Sequence, residues 1–290
     1  MAGRLVVVGT PIGNLGDLSP RAADALREAD LVVAEDTRVA AKLLRFIGAR
    51  RPTQSFTEHN AAERLPGLLD RLAAGDTLAL TTDAGMPTVS DPGGELVAAA
   101  RAAGHEVTVV PGPSAVTAAL ALAGVSGVAG TGFLFGGFLS ARPASARNAE
   151  LERLVAAAAG NGLPLILFEA PHRVSRLLKE LGDLVGQHPG LQVAAGRELT
   201  KLHEEVVAGT PSQVAAVLPA PRGEFTVVVS GFAQDDRAAP SVDAEAITSA
   251  ARAAGLSDRS VVEILRAAGI GRREAYALAQ SSHSGKASRT

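Results

Sequence analysis

The sequence contains no cysteine and no tryptophan, and aromatic residues make up only 3% of its 290 residues. Without cysteine, the chain cannot form disulfides, use a thiolate nucleophile or hold zinc through sulfur ligands. The six histidines are scattered without the spacing of metal ligands, so we predict no metal site. Because aromatic side chains are scarce, the hydrophobic core has to be built mainly from Val, Leu and Ala.

The apolar run near the N-terminus is short and spans only Leu5–Val8. A signal peptide needs a longer apolar region, and a helix that crosses a membrane needs ~20 apolar residues. We therefore expect a cytoplasmic protein without a membrane segment.

Neither sign of charge is in large excess, since the formal net charge is -2 at pH 7. Proteins that grip long naked nucleic acid are usually strongly basic, so any RNA contact has to be local or to depend on an assembled partner. Hydrophobic residues make up 47% of the sequence and charged residues 20%, which indicates a folded chain. The length suits one large or two ordinary domains with an appendage.

Short runs of β-forming residues alternate with Ala- and Leu-rich stretches in the first part of the chain. This alternation, with short connections, predicts βαβ units around a mainly parallel sheet. Ser19 and Pro20 indicate the start of one helix, and Asp36 or Thr37 the start of another. The predicted strands are Leu5–Val8, Leu31–Ala34, Gln54–Phe56, Thr77–Leu80 and Glu106–Val110, and the predicted helices are 20–29, 37–47, Ala61–Ala74 and Leu96–Ala103.

The second part of the chain repeats this pattern and is followed by a helical segment. Its predicted strands are Leu163–Phe168, Gln192–Ala195 and Phe225–Ser230, with a helix at Val174–Val185. The polar stretch Ala233–Pro240 is typical of a linker, and the helices predicted beyond it are Ala244–Gly255, Ser260–Ala268 and Arg272–Gln280. We therefore predict an α/β protein with an N-terminal domain over 1–112, a second α/β domain over 113–232 and a small helical tail over 241–290.

Three loops at strand ends are rich in glycine and proline: 8–16, Thr81–Gly94 and Pro111–Ala115. Ligands of open α/β sheets bind outside the carboxyl ends of strands. The first loop is neither a P-loop nor a good dinucleotide fingerprint, because no Gly-Lys-Ser/Thr follows and proline removes donors that phosphates need. Each loop alone could be an ordinary turn, a helix cap or a linker. Their repetition at successive strand ends favours a ligand site, in which a carboxylate of the second loop could face a cation.

These loops and several shorter motifs resemble the tetrapyrrole methylase superfamily of S-adenosylmethionine enzymes. The resemblance covers roughly residues 4–231. Its most specific motif is the string from Asp83 to Gly93, which resembles the branch that methylates a cytidine 2′-hydroxyl in 16S ribosomal RNA. The other motifs are Thr10-Pro11-Ile12-Gly13-Asn14-Leu15, Ala34-Glu35-Asp36-Thr37-Arg38, Glu58-His59-Asn60, Pro111-Gly112-Pro113, Gly137-Phe138-Leu139, Glu169-Ala170-Pro171-His172-Arg173, Arg197-Glu198-Leu199-Thr200-Lys201 and Arg222-Gly223-Glu224.

The resemblance implies two α/β domains of the tetrapyrrole methylase type that hold S-adenosyl-L-methionine in the cleft between them, and a homodimer. It also implies that backbone groups of the loops, together with matched segments of the second domain, bind the cofactor. Binding by a rigid Gly- and Pro-rich backbone costs little ordering entropy. The cofactor-binding residues implied in this way are Pro11, Ile12, Asp83, Ala84, Gly85, Pro87, Ser114, Ala115, Phe168 and Gly223.

A methyltransferase that acts on a ribose hydroxyl needs a general base within hydrogen-bond reach, because the hydroxyl is a poor nucleophile. The candidates in the matched motifs are Glu58, His59, Asp91 and Glu169. Glu169 could equally be the structural partner of Arg173, and His59 could be an ordinary surface histidine.

The implied substrate is 16S RNA within the small ribosomal subunit, where the shape of a folded particle shares the task of recognition. The candidates for contact with this RNA are Asn60, Arg142, Arg147 and Arg173, and a further basic pair, Arg272 and Arg273, lies in the tail. Basic clusters are more often solvated faces than binding sites. Phe133, Phe135 and Phe138 are the main candidates for stacking on a base, and they could equally be part of the core.

Two other functions remain open. The chain could methylate a small tetrapyrrole, but the Asp83–Gly93 string and the helical tail argue against this function. It could also be a ribosome-associated binding module that keeps a cofactor-like cleft without catalysis. Cofactor binding and turnover, tested together, separate these alternatives from an RNA methyltransferase.

Overall fold

A computed structural model of the chain describes residues 3–125, 132–218, 222–232, 244–268 and 270–280, without the side chains of residues 272, 273 and 280. The chain divides into two compact units between Ala233 and Gln234. The first unit contains two five-stranded sheets, and the second contains helices. The predicted linker at Ala233–Pro240 and the last ten residues lie outside the described residues. No helix in the described ranges is long and apolar enough to cross a membrane.

The first sheet is parallel throughout, as the alternation of strands and helices predicted. Its strand order is β3-β2-β4-β1-β5, and every neighbouring pair is parallel. Helices cover both faces, so successive residues of β1 enter opposite cores: Leu5 and Val7 join one, and Val6 and Val8 the other. The strands are β1 (Arg4–Val8), β2 (Leu31–Ala34), β3 (Thr53–Ser55), β4 (Thr77–Thr81) and β5 (Glu106–Val110), and the helices are α1 (Pro20–Glu28), α2 (Thr37–Phe46), α3 (Ala61–Ala73) and α4 (Gly94–Ala102).

Helix starts in this half follow the predicted capping residues. The side chain of Ser19 accepts a hydrogen bond from the backbone N–H of Ala22, with Pro20 in the first turn of α1. Asp36, rather than Thr37, caps α2, because its carboxylate accepts from the backbone N–H of Arg38.

The second sheet is mixed, whereas the first is parallel throughout. Its order is β6-β7-β10-β8-β9, and only β6 and β7 run parallel among these neighbours. The late strand β10 inserts between β7 and β8 and runs antiparallel to both, which a local pattern does not reveal. The strands are β6 (Leu134–Phe138), β7 (Leu165–Glu169), β8 (Gln192–Arg197), β9 (Glu205–Gly209) and β10 (Phe225–Ser230). Of these, β6 and β9 were not predicted.

Four helices accompany this sheet: α5 (Ala115–Ala123), α6 (Ala144–Gly160), α7 (Pro171–Asp183) and α8 (Pro211–Val217). The first of them, α5, packs Val116 and Ala119 into a core with Ile166 and Val228 of the second sheet. Because α5 packs on the second sheet, we propose a domain boundary between residues 112 and 113.

The described residues of the second unit form three helices, close to the positions predicted from sequence: α9 (Ala244–Ala253), α10 (Asp258–Ala267) and α11 (Arg272–Gln280). Val261 and Leu265 of α10 pack against Ala251 and Ala275 in a small core of its own. The side chain of Ser257 accepts from the backbone N–H of Ser260 and begins α10.

The loops that follow β1, β4 and β5 are joined by close backbone contacts. A Cβ atom at Gly9 would lie 2.5 Å from the amide nitrogen of Gly112, and one at Gly112 would lie 2.7 Å from the carbonyl carbon of Gly9. Thr10 and Gly85 form an isolated antiparallel bridge, in which the N–H of Thr10 donates to the carbonyl oxygen of Gly85 at 2.8 Å. Only glycine fits at the Gly9–Gly112 contact, because the nearest atoms that a side chain would meet across it belong to backbone. A Cβ atom at Gly9 would also lie 2.6 Å from the Sδ atom of Met86.

Gly9→Ala tests this contact. We expect the substitution to lower the free energy of unfolding by ~1–3 kcal/mol, because the neighbouring backbone has no room to move. Gly94→Ala is the matched control, since a Cβ atom there meets open space. We expect the control to leave the stability unchanged or to raise it by ~0.5 kcal/mol. Thermal and denaturant unfolding of both variants measures the effect, and equal stabilities would contradict this account of the loop junction.

Candidate active site

A cavity of about 330 Å³ lies between the two sheets of the first unit. One wall comes from the loops after β1, β4 and β5, and the other from the ends of β6 and β7 and the start of β10. Most of its surface is apolar, with a few polar groups, as is typical of a small-molecule site. The residues that line it are Ile12, Ala84, Gly85, Met86, Val89, Ser90, Asp91, Ser114, Ala115, Phe138, Phe168, Glu169, Ala170, Pro171, Leu199, Glu224, Phe225 and Thr226.

The structure brings most of the predicted cofactor-binding residues to this cavity. Six line it: Ile12, Ala84, Gly85, Ser114, Ala115 and Phe168. The other four are each one position along the chain from a lining residue: Pro11, Asp83, Pro87 and Gly223. The loops therefore converge as expected, although the individual contacts of a bound cofactor stay a prediction.

The N-terminus of α5 opens on the cavity through Ser114 and Ala115. Ser114 is the N-cap residue, but its side chain makes no capping hydrogen bond to the first turn. Unsatisfied N–H groups and the helix dipole at such an end favour an anionic group. This end of the cavity therefore suits a carboxylate, and the apolar walls suit an uncharged ligand body.

Asp91 is the titratable group in the cavity wall whose environment is most perturbed. Burial, followed by the negative charge of Glu35, raises the pKa of Asp91 to about 6, while a hydrogen bond with the Thr82 side chain acts in the opposite direction. A carboxylate with a pKa near neutrality can both accept and release a proton at physiological pH. Asp91 therefore has the environment expected of a general base.

Glu35 belongs to this site although it was not among the predicted site residues. It follows the last residue of β2, and β2 lies beside β4 in the sheet, so the two strand ends meet. The backbone N–H of Asp36 donates to the Asp83 carboxylate at 3.1 Å and links the two loops. Burial and the charge of Asp83 raise the pKa of Glu35. The signal available in the sequence was that Glu35 directly follows a predicted strand. Its proximity to the Asp83–Gly93 string arises only in the sheet, where β2 and β4 are neighbours.

Glu169 lines the cavity, but its carboxylate is committed to an ion-pair network. The Glu169 Oε2 atom lies 2.6 Å from Arg147 Nη2, and the Glu169 Oε1 atom lies 2.7 Å from Arg173 Nε and accepts from the backbone N–H of Ala170 at 2.9 Å. Arg147 also contacts Glu180 at 2.9 Å. This geometry favours the structural role that was weighed for Glu169, as the partner of Arg173, over that of a general base.

Arg147 requires a correction. Its side chain is 1% exposed and is enclosed by Glu169 and Glu180. Contact between this guanidinium and RNA is incompatible with its burial, so the prediction that Arg147 binds RNA was wrong. Arg142 is exposed, and Arg173 keeps 21% of its side chain exposed at the start of α7. The side chains of Arg272 and Arg273 lie outside the described residues.

The remaining candidates lie away from the cavity. Glu58 and His59 are exposed in the loop that follows the edge strand β3, and neither lines the cavity. The side-chain oxygen of Asn60 accepts from the backbone N–H of Thr57 at 2.8 Å, so this amide holds the loop in place. Within the described ranges, no three His, Asp or Glu residues form a group that could hold a metal ion.

A strained loop between β8 and β9 completes the cavity. Glu198 and Thr200 both have positive φ angles, 50° and 67°, and Leu199 between them lines the cavity. Lys201 Nζ lies 2.9 Å from Glu198 Oε1 and 2.8 Å from Glu224 Oε2. This pairing fixes Glu224, another lining residue, and such strain is typical of functional sites.

The fold and the sequence match known methyltransferases. A family model described as Tetrapyrrole (Corrin/Porphyrin) Methylases matches residues 4–215. A Synechocystis protein named Ribosomal RNA small subunit methyltransferase I is 44% identical, over 81% of each chain. Proteins with the same name are 45% identical in Xylella fastidiosa, over 81% of this chain and 84% of that one, and 41% identical in Thermotoga maritima, over 79% and 99%.

Solved structures show the same fold at lower sequence identity. A diphthine synthase is 17% identical with a TM-score of 0.62, over 79% of this chain and 90% of that one. A cobalt precorrin-4 methyltransferase is 16% identical with a TM-score of 0.56, over 79% and 95%. At this identity the likeness concerns the fold alone.

Asp91→Asn tests the electrostatic environment of the carboxylate. Because the pKa of Asp91 in the folded protein, about 6, exceeds the ordinary 3.8, folding favours its protonated form. That stabilisation is present below the ordinary pKa and is lost as the pH rises through about 6. We therefore expect Asp91→Asn to raise the melting temperature above pH 6, with a difference that shrinks towards pH 4.

Asp36→Asn is the control, because folding lowers the pKa of Asp36 whereas it raises that of Asp91. Hydrogen bonds from Arg38 lower the pKa of Asp36 to about 2, so its charged form stabilises the fold above the ordinary pKa and this contribution is lost as the pH falls through about 2. We expect a small loss of stability at neutral pH. A lower melting temperature for Asp91→Asn at every pH would instead assign Asp91 a purely structural role.

Glu169→Gln tests the buried network. Removing one charge leaves Arg147 without its closest partner, and we expect the free energy of unfolding to fall by ~3 kcal/mol. Arg176→Gln is the control, because its side chain is 45% exposed and pairs with Glu180 near the surface. We expect the control to cost less than ~1 kcal/mol. Similar small losses in both variants would show that the network is not buried in solution.

Proposed function

The chain belongs to the tetrapyrrole methylase family and, within it, to the ribosomal RNA small subunit methyltransferase I group, and on that premise we propose its reaction. We propose that it transfers a methyl group from S-adenosyl-L-methionine to the ribose 2′-oxygen of a cytidine in the 16S RNA of the small ribosomal subunit. The observation that carries this proposal is the partly buried Asp91 carboxylate, with a pKa of about 6, in the wall of a cofactor-sized cavity.

The residues of the cavity fit S-adenosylmethionine. The N-terminus of α5 at Ser114 and Ala115 offers N–H groups to a carboxylate, and Ile12, Leu199 and Phe168 offer apolar walls. The carboxylates of Asp91 and Glu35 favour a positive charge. When bound, the cofactor supplies an electrophilic methyl group carried by a sulfonium cation.

Asp91 is the general base of the proposed reaction. Its carboxylate accepts the proton of the ribose 2′-hydroxyl while the oxygen forms its bond to the methyl carbon. The bond between that carbon and the sulfonium sulfur breaks in the same step, so that neutral S-adenosylhomocysteine is the leaving group. Asp91 later releases the proton to solvent. With a pKa of about 6, Asp91 is mostly ionised at neutral pH and remains basic enough to take part in proton transfer. Glu169 is less suited to this role, because both of its oxygens are occupied by Arg147, Arg173 and the N–H of Ala170.

The weak overall charge supports a substrate that is presented by an assembled particle. The net charge of -2 differs from the strongly positive charge that is typical of proteins that bind naked RNA. Arg142 and Arg173 retain exposed side chains and are the proposed contacts with RNA phosphates. Small ribosomal subunits are assembled in the cytoplasm, and we therefore propose that the protein is cytoplasmic. A homodimer stays a prediction.

Methyl transfer from radiolabelled S-adenosylmethionine tests the proposal. The acceptors are small subunits that lack the modification, naked 16S RNA and a tetrapyrrole precursor. We expect label in the subunit RNA at a ribose 2′-oxygen, and a pH–rate profile whose acidic limb falls below about pH 6 because Asp91 becomes protonated. Asp91→Asn is expected to lower kcat by ~10²–10⁴-fold. The Kd for S-adenosylmethionine is expected to weaken by a much smaller factor, because the variant also removes one of the charges that favour the sulfonium.

His59→Gln is the control for a residue outside the cavity, and we expect it to leave kcat and the acidic limb unchanged. Label in the tetrapyrrole alone would make the protein a tetrapyrrole methylase. Cofactor binding without label in any acceptor would instead indicate a binding module without catalysis.

A further inference from the structure

A β-bulge in the edge strand β6 turns two phenylalanines to the same face of the second sheet. Phe135 and Phe138 are three positions apart, yet their partners on β7, Ile166 and Phe168, are two positions apart. Side chains alternate between the faces of a regular strand, so the extra residue brings both rings to one side. Both rings contact Phe168, with centroid distances of 5.1 Å for Phe135 and 5.4 Å for Phe138.

The bulge depends on Gly137, whose φ of 65° lies in the left-handed region that favours glycine. The result is a small aromatic cluster in which Phe135 and Phe168 are partly buried, whereas Phe138 is 53% exposed. Phe138 also lines the cavity. An aromatic ring that packs against another ring, as Phe138 packs against Phe168, and that is half open to solvent at a cavity, can serve as a rigid stacking surface.

The same bulge contacts the loop that carries the proposed general base. A Cβ atom at Gly137 would lie 2.9 Å from the Oγ atom of Ser90, so the Ser90 side chain packs closely against the backbone of Gly137. Asp91 follows Ser90, Phe138 follows Gly137, and all of these except Gly137 line the cavity. The rim of the cavity therefore combines an aromatic face from one sheet with a carboxylate from the other.

Resting on the function proposed above, we propose that Phe138 is the platform on which the base of the target nucleotide stacks, with its ribose directed to Asp91. A nucleotide has to leave its base stack before an enzyme can reach it in a structured RNA, and an aromatic ring replaces part of the stacking that it loses. Aromatic residues are scarce in this chain, with eight Phe, one Tyr and no Trp. A half-exposed phenylalanine beside the general base is therefore a specific feature of the site.

Phe138→Leu tests this role by kinetics. It keeps an apolar side chain but removes the stacking face, and we expect kcat/KM for small subunits to fall by roughly 5- to 100-fold. The Kd for S-adenosylmethionine is expected to stay within about twofold, because the cofactor residues are unchanged. Phe138→Tyr is expected to restore activity. Phe46→Leu is the matched control, since Phe46 is also 53% exposed but lies at the end of α2 and does not line the cavity.

Phe138→Trp gives a readout that does not need turnover. The natural chain has no tryptophan, so the tryptophan at the proposed platform is the single one in this variant. We expect small subunits, added with S-adenosylhomocysteine, to quench its emission by base stacking. Phe46→Trp is the control, and we expect its emission to be unchanged after correction for absorbance.

The outcomes separate the two proposals. If the wild-type protein labels no RNA, the proposed function fails, and quenching of the Phe138→Trp variant by subunits would still support the platform. If the wild-type protein labels RNA but Phe138→Leu is fully active and the Phe138→Trp variant is not quenched, the proposed function stands and the proposed stacking role of Phe138 is wrong. Quenching by S-adenosylhomocysteine without RNA, together with a weaker cofactor Kd in Phe138→Leu, would assign the ring to the cofactor and overturn the proposal.

Discussion

The contact between the backbones of Gly9 and Gly112 holds the carboxyl ends of β1 and β5 closer together than any side chain would allow. The bridge between Thr10 and Gly85 joins the end of β4 to the same point. Since β1 lies between β4 and β5 in the sheet, one junction fixes all three loops. These loops supply one wall of the cavity, and Asp91 belongs to the loop that continues from Gly85. The geometry of the site therefore depends on a contact made without side chains.

The carboxylates on the two walls of the cavity have opposite electrostatic environments. Glu169 is surrounded by Arg147 and Arg173, and its oxygens are held by ion pairs and a backbone N–H. Burial makes the charge of Asp91 costly and raises its pKa, and the charge of another carboxylate, Glu35, raises that pKa further. The first arrangement fixes a side chain in place. The second leaves a carboxylate whose pKa, about 6, is close to neutrality, as the proposed general base requires.

The first sheet was predictable because its strands, apart from the short polar strand β3, are apolar-rich runs bounded by turn residues, and helices separate the strands. The second sheet was harder to predict from the sequence. The glycines of β6 resemble a turn, since the bulge that they permit is visible only once β7 lies beside it. Strand β9 lies at an edge of the sheet, and alternate residues are exposed. The antiparallel order follows from the insertion of β10, which no local pattern encodes.

The sequence by itself determined the features that neighbouring residues decide together: the strands of the first sheet, the helix caps at Ser19 and Asp36, and the glycine-rich strand ends with their family motifs. It also placed Asp91 among the candidates. Only the tertiary structure decided which charges meet. Arg147 and Glu169 are 22 positions apart, and their pairing buries a guanidinium that the sequence presented as a surface group. Whether a charged side chain faces solvent or another charge depends on which distant segments pack together. A local sequence pattern does not encode that packing.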